Sequence, residues 1–188
     1  ALARQLTQSH KVTLFQAGDK KTSGINTICI KVSGKIIDSS ESLLRRLYLD
    51  RSSLKIAWFT LKFSPYLFRE KYDVIIPTNG GWQIVICRLI TWVMGMKFIT
   101  QGNAGIGFDD NWQLLWRPDY YVAISPQGLE WAKKKSAKTP MSYIPYGVNL
   151  NLFVKTKATP VQLQKPIVLC VGAFIPLKRI DLLIRSMQ

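Results

Sequence analysis

The chain has 188 residues, 47% of them hydrophobic, and 26 Lys and Arg against 11 Asp and Glu give it a formal net charge of +15. This is enough for one sizeable α/β domain and the start of another, and the hydrophobic content excludes an intrinsically disordered chain. A basic chain prefers anionic partners such as a phospholipid surface, a nucleic acid or a phosphorylated substrate, with a solvated basic surface as the plain alternative.

The cysteine and histidine content argues against disulfide and metal chemistry. Cys29, Cys87 and Cys170 are far apart, odd in number and without CxxC spacing, so neither a disulfide framework nor a zinc site is expected. They lie inside apolar runs and are predicted to be buried thiols in a reducing cytoplasm. The single histidine, His10, has no partner for a metal site or a catalytic triad.

Along the chain, short β-rich runs alternate with helical patterns, which is typical of βαβ units and a parallel sheet. Asp38 and Glu41 resemble a capping box before a helical pattern that continues to Tyr48. The most apolar stretch, residues 84–99, is too short in its uncharged part to span a bilayer and is predicted to be a buried helix followed by a strand.

The predicted strands are residues 11–15, 28–32, 72–76 (buried), 97–100, 120–124, 141–144 and 167–171. The predicted helices include residues 53–63 and 82–94, and further helices begin near Asp109, at Pro126 and at Ile180.

The predicted fold class is α/β, a Rossmann-like parallel sheet with helices on both faces. Residues 1–150 form this first domain without its first strand, and residues 151–166 are a linker rich in Thr, Lys, Gln and Pro. Residues 167–188 are the first strand and helix of a second Rossmann-like domain. Because both ends fall inside helical patterns, we expect the sequence to be a piece of a longer protein.

Ligands of open parallel sheets bind at the carboxyl ends of the strands, so three loops are of interest: residues 78–81, 101–107 and 172–178. The second loop contains three glycines, which let backbone N–H groups approach a ligand, but a plain tight loop explains them as well. In the third, Lys178 and Arg179 stand just before a helix, and the N-terminus of a helix together with these cations would suit a diphosphate. A solvated basic turn is the alternative.

Two segments resemble family-4 glycosyltransferases. They are Ile144-Pro-Tyr-Gly-Val-Asn-x-x-x-Phe153 and Val171-Gly-Ala-Phe-Ile-Pro-Leu-Lys-Arg-Ile-Asp181, which are similar to the family's "IPNGVD…F" and "VGR…P.KG.D.L" segments. Residues 105–125 also look like members of this family, whereas the part before residue 70 shows little likeness.

The resemblance implies a GT-B architecture, with an acceptor-side domain facing a domain that binds a nucleotide-sugar. It implies retaining transfer of a hexose from a nucleoside-diphosphate sugar to a glycan or lipid-linked acceptor, without a cofactor or a bound metal. The net charge and the stretches rich in aromatic residues and lysine fit a cytoplasmic enzyme in peripheral contact with an anionic face of the cell membrane, and no nucleic-acid partner is expected. The resemblance places Lys178 at the donor diphosphate, with Gly172 beside it, and Gln101 and Asn103 as candidates in the catalytic cleft. Together with the rule for parallel strands, it makes Gly80, Gly81, Gly102 and Gly105 the residues expected to line that cleft.

The sequence departs from the family pattern at several positions. Ala173 replaces a common arginine, Tyr146 a common asparagine and Asn149 a common aspartate, and the loop after Thr100 has no histidine. An amide such as Gln101 cannot act as a general base. The family's Glu-(seven residues)-Glu motif would lie beyond the last residue, so we expect no sugar transfer by these 188 residues alone.

Two other classes of function stay open at this stage. A nicotinamide-dependent Rossmann oxidoreductase would carry a GxGxxG motif in the missing first strand and an acidic residue after the next strand, where Asp19 is ambiguous. A nucleic-acid-binding domain has only the net charge in its favour and would bind with a steep salt dependence.

Overall fold

The computed structural model describes residues 2–32, 46–102, 106–147, 167–172 and 178–187. The chain divides into two compact units, Ala1–Val148 and Asn149–Gln188. The predicted linker 151–166, the predicted capping box at Asp38 and Glu41, and Asn103, Gly105 and Ala173 lie outside the described residues. In chain order the elements are α1 (Leu2–Leu6), β1 (Thr13–Ala17), β2 (Asn26–Ile30), α2 (Arg51–Arg69), β3 (Val74–Ile75), α3 (Trp82–Met94), β4 (Lys97–Gly102), α4 (Phe108–Leu115), β5 (Tyr120–Ala123), α5 (Pro126–Lys135), β6 (Met141–Tyr143) and α6 (Ile180–Arg185).

The strands pair in parallel, and helices connect and flank them. One sheet joins β1 to β2, with Phe15 opposite Ile28, and the other has the order β3-β4-β5-β6. In the second sheet the strand order follows the chain order, and β4 pairs with β5 from Ile99↔Tyr120 onwards. The prediction of an α/β fold with a parallel sheet is confirmed.

Helix α2 begins at a side-chain cap and continues past a proline. The Asp50 carboxylate accepts hydrogen bonds of 3.1 and 3.2 Å from the N–H groups of Ser52 and Ser53. Pro65 has no N–H to donate to the carbonyl of Leu61, and the Ser64 hydroxyl donates to that carbonyl instead, at 2.8 Å. The helix therefore ends at Arg69 rather than at the predicted residue 63.

Helix α3 has the bounds that the sequence predicts, because glycines flank it on both sides. Gly81 precedes it, and Gly95 ends it in the left-handed conformation at φ 70°. The core lies where α2 and α3 meet β4, and its most deeply buried apolar side chains are those of Phe98, Ile84 and Leu67.

Several predictions need correction. Residues 72–76 are not a buried strand: β3 has two residues, lies at an edge of its sheet, and leaves Val74 43% exposed. Strand β4 extends through Gln101 and Gly102, which were assigned to the following loop. Residues 167–171 are exposed and form no strand, because no described strand supplies the neighbouring ladder that a parallel strand requires. Cys87 is buried as predicted, whereas Cys170, in that same segment, is exposed.

The hydropathy of the helices agrees with the expectation for residues 84–99. Within the described ranges, no helix combines the length and the apolar character needed to cross a membrane.

Candidate functional site

The loop after β3 packs against helix α4 at the carboxyl edge of the four-stranded sheet. Gly80, in the loop after β3, lies close to helix α4, since a Cβ placed on it would be 3.6 Å from Oδ1 of Asp109. The loop is held by Gln83 of α3, whose side-chain oxygen accepts a hydrogen bond of 2.9 Å from the Asn79 N–H. The loop at residues 78–81, which was selected from the sequence, therefore lies beside the start of the helix that follows β4.

Gly81 is confined by aromatic side chains. Its φ is 62°, and a Cβ on it would lie 2.8 Å from Cδ1 of the buried Tyr48. Its carbonyl accepts a hydrogen bond of 3.0 Å from the indole N–H of Trp112. The Trp82 indole in turn donates to the carbonyl of Tyr48, at 3.1 Å. These contacts explain why the position after Gly80 has no room for a side chain.

A tyrosine and a carboxylate form the polar centre of this edge. The Tyr48 hydroxyl donates a hydrogen bond of 2.6 Å to Oδ1 of the half-buried Asp109. The Tyr48 ring is stacked with Phe108 at 5.5 Å and tilted against Trp112 at 5.3 Å, measured between ring centroids. We call Tyr48, Phe108, Asp109 and Trp112 the aromatic–carboxylate cluster. It combines aromatic faces with an oriented hydrogen-bond acceptor, a combination suited to a small polar ligand with an apolar side.

Gly102 has a packing role at the end of β4. It is buried, and a Cβ on it would lie 2.2 Å from the Tyr121 hydroxyl and 3.1 Å from Oδ2 of Asp110. Burial of Tyr121 raises the pKa of its hydroxyl, and the hydrogen-bonded Asp110 carboxylate raises it further, so Tyr121 stays neutral at physiological pH. Gln101, the other described candidate in this stretch, is half-buried within β4.

The donor-side candidates lie in the second unit and are near one another. A Cβ on Gly172 would be 3.9 Å from Cγ of Lys178, and both residues are exposed. Arg179 has φ 47° and forms an ion pair of 3.4 Å with Asp181, and among the described residues Lys178 forms no salt bridge. The Lys178 ammonium is thus placed to bind an anion from solution.

A second concave feature lies at the opposite edge of the same sheet. Arg117 and Pro118, just before β5, and residues 136–139, just before β6, line a cleft of about 620 Å³ together with parts of α4 and α5. Its lining includes three cations, Arg117, Lys135 and Lys138. The cleft lies away from the carboxyl edge, and its residues were not among those selected from the sequence.

Sequence reasoning missed most of the aromatic–carboxylate cluster. Asp109 was recognised only as a residue at the start of a helix, and Tyr48 carried no signal because 61 positions separate the two. Among the described residues, no group of three His, Cys, Asp or Glu side chains could hold a metal ion.

Comparisons with protein-family models, with curated proteins and with solved structures find no match to this chain.

Proposed function

We propose that the protein is a glycosyltransferase of GT-B architecture that transfers a hexose from a nucleoside-diphosphate sugar to a glycan or lipid-linked acceptor, with retention of configuration. The proposal rests on the two sequence segments that resemble family-4 glycosyltransferases. The observation that supports it best is the packing of the β3–α3 loop against the first turn of α4, around Gly80 and Asp109. In such an enzyme this edge of the sheet belongs to the cleft of the acceptor-side domain.

The aromatic–carboxylate cluster supplies chemistry that suits a sugar hydroxyl. Asp109 is half-buried and oriented by Tyr48, and its carboxylate can accept a further hydrogen bond. The exposed ring of Phe108, beside it, offers an apolar face. In this proposal Asp109 orients an acceptor hydroxyl. A carboxylate is a charged hydrogen-bond acceptor and holds the hydroxyl more strongly than the neutral amide of Gln101 would.

The donor side of the proposal depends on Lys178. During transfer the bond between the anomeric carbon and the diphosphate oxygen breaks, a bond to the acceptor oxygen forms, and the acceptor proton is released. Negative charge builds up on the departing diphosphate, and a lysine ammonium beside it stabilises that charge. Gly172, adjacent to Lys178, leaves room for a phosphate to approach the backbone.

The proposal includes a cellular location. We place the enzyme in the cytoplasm at the inner face of the cell membrane, where a basic protein meets anionic headgroups and lipid-linked acceptors. The net charge of +15 supports this placement.

Nucleotide binding by the full chain tests the proposal. Isothermal titration with UDP, GDP and ADP and with their sugar conjugates should show binding of at least one of them, and Lys178→Gln should weaken that binding about tenfold or more. Lys138→Gln is the control because it removes the same charge from the other unit. Binding of NAD(H) alone, or of nucleic acid with a steep salt dependence, would replace the proposal with one of the alternatives.

Acceptor binding provides a separate test of the cluster. Tyr48→Phe and Asp109→Asn should reduce binding on a glycan array without changing the affinity for the nucleotide. Equal loss of both affinities would indicate a structural role for these side chains instead.

A further inference from the structure

Helix α2 has a second apolar stripe that faces away from the core. Its large apolar members are Leu54, Trp58, Leu61 and Phe68, and each is about half exposed, with Trp58 at 55%. Together with Pro65, which lies on the same line, they recur every three or four residues. At about 100° per residue they fall within roughly 80° of the helix circumference, and the core residues Phe59, Phe63 and Leu67 fall on the opposite side. We call this the outer stripe.

The cations of the same helix lie along one flank of the outer stripe. Arg51, Lys55, Lys62 and Arg69 all fall roughly 60–100° from its centre, on the same side, and the 19-residue helix contains no Asp or Glu. The Lys62 ammonium lies 5.5 Å from the centroid of the Trp58 ring and also donates to the carbonyl of Lys31, at 3.0 Å. A row of four cations therefore borders a row of exposed apolar side chains.

The neighbouring helix α3 has a similar exposed group. Leu89, Trp92 and Val93 are 48%, 56% and 77% exposed. Contiguous exposed apolar side chains of this size mark interaction surfaces in folded proteins.

We propose that the outer stripe of α2 docks onto an anionic lipid surface. A helix that lies in a membrane interface buries an apolar face beneath the headgroups, with tryptophan near the boundary and Lys or Arg beside it. Leu54, Leu61 and Phe68 provide the apolar face, Trp58 the boundary residue, and the flanking cations the attraction to anionic headgroups. This inference deepens the membrane placement proposed above by assigning the surface that makes the contact, and it rests on that placement but not on the transfer reaction.

The charge of the helix argues against a second copy of the chain as the occupant. Two copies joined through the outer stripe would bring rows of cations together with no acidic residue on either helix to pair with them. An anionic surface instead attracts the exposed cations Arg51, Lys62 and Arg69 together.

Vesicle co-sedimentation of the full chain tests the proposal. The chain should bind vesicles of equal parts phosphatidylglycerol and phosphatidylcholine, should bind pure phosphatidylcholine far more weakly, and should dissociate as ionic strength rises. Lys62→Gln/Arg69→Gln, at two exposed positions of the flank, should weaken binding roughly 30-fold, and Trp58→Ala/Leu61→Ala at least about tenfold.

Two matched variants control for charge and for apolar area. Lys133→Gln/Lys134→Gln removes the same charge from exposed positions of α5, and Leu115→Ala/Ile144→Ala removes apolar area from exposed positions elsewhere. Both should bind like the unmodified chain. Because all these positions are exposed, circular-dichroism melts should coincide.

Three results would overturn the proposal. The first is equal binding to neutral and anionic vesicles, or no binding to either. The second is that the control variants weaken binding as much as the α2 variants do. The third is a dimer in sedimentation equilibrium that Trp58→Ala/Leu61→Ala dissociates. Nucleotide titration of the same variants should be unchanged, which separates failure of this proposal from failure of the proposed reaction.

Discussion

The Arg88 guanidinium donates a hydrogen bond of 2.7 Å to the Asp119 carboxylate and thereby joins helix α3 to the turn before β5. The same carboxylate oxygen accepts the Phe98 N–H at 2.9 Å, and a second Arg88 nitrogen donates to the carbonyl of Arg117. Arg88 is buried within an apolar segment, and these bonds explain how the interior tolerates its charge.

We expect Arg88→Ala to lower the free energy of unfolding by about 3 kcal/mol, because it leaves the Asp119 carboxylate partly buried without its guanidinium partner. Urea denaturation followed by circular dichroism measures this loss. Arg185→Ala, at an exposed position of α6, is the control and should change the value by less than about 0.5 kcal/mol. A loss below about 1 kcal/mol for Arg88→Ala would mean that the ion pair with Asp119 contributes little to the free energy of unfolding.

The same pair should give the protein part of its acid sensitivity. Burial tends to raise the pKa of Asp119, but the Phe98 N–H and Arg88 outweigh it, so the pKa lies below its ordinary value. An aspartate whose pKa is lower in the folded chain stabilises the fold fully at a pH above its unfolded pKa of about 3.9. This stabilisation is lost as the pH falls through the pKa of the folded chain. Asp119→Asn should be less stable than the unmodified chain at neutral pH, and the difference should shrink in this acidic range. A constant difference at every pH would contradict the assignment.

Gly102 should tolerate no side chain. An added Cβ would lie 2.2 Å from the Tyr121 hydroxyl in a fully buried place, so Gly102→Ala should cost roughly 3 kcal/mol of stability through overpacking. Tyr121→Phe removes the nearest atom, and the double variant should therefore recover part of the loss. Strict additivity in this double-mutant cycle would show that the two side chains do not meet.

Gly81 and Gly95 both have positive φ, but they differ in ψ and only Gly81 is crowded. Gly95→Ala meets no atom within 4 Å and should cost only the backbone strain, about 1 kcal/mol. Gly81→Ala meets a larger strain, because its ψ of −135° lies outside the left-handed well that Gly95 occupies, and it also meets the Tyr48 ring at 2.8 Å, so we expect it to cost at least about 1 kcal/mol more. Thermal melts of the two variants compare them directly, and equal shifts would mean that neither the ψ angle nor the Tyr48 ring adds to the cost.

The same glycines show how far the sequence could predict this fold. The bounds of α3 follow from local chemistry, because Gly81 and Gly95 stand on either side of a continuous helical pattern. The exposure of β3 could not be predicted in this way, because a short apolar run has the same sequence pattern at the edge of a sheet as at its centre. The loop around Gly80 could be selected by the rule for parallel strands, whereas the contact of Tyr48 with Asp109 is a product of tertiary packing alone.

The three thiols should differ in reactivity according to their surroundings. Burial raises the pKa of Cys87 to about 12, so at pH 8 almost none of it is thiolate, whereas Cys170 is exposed and Cys29 is half-buried. In the folded chain, Ellman's reagent should modify Cys170 first, and Cys87 only as fast as the domain opens. In the Cys29→Ser/Cys170→Ser variant, which leaves only Cys87, the reaction should be slow and should accelerate sharply in urea. A fast reaction of this variant without denaturant would show that helix α3 opens readily and that the core around Cys87 is less stable than its packing indicates.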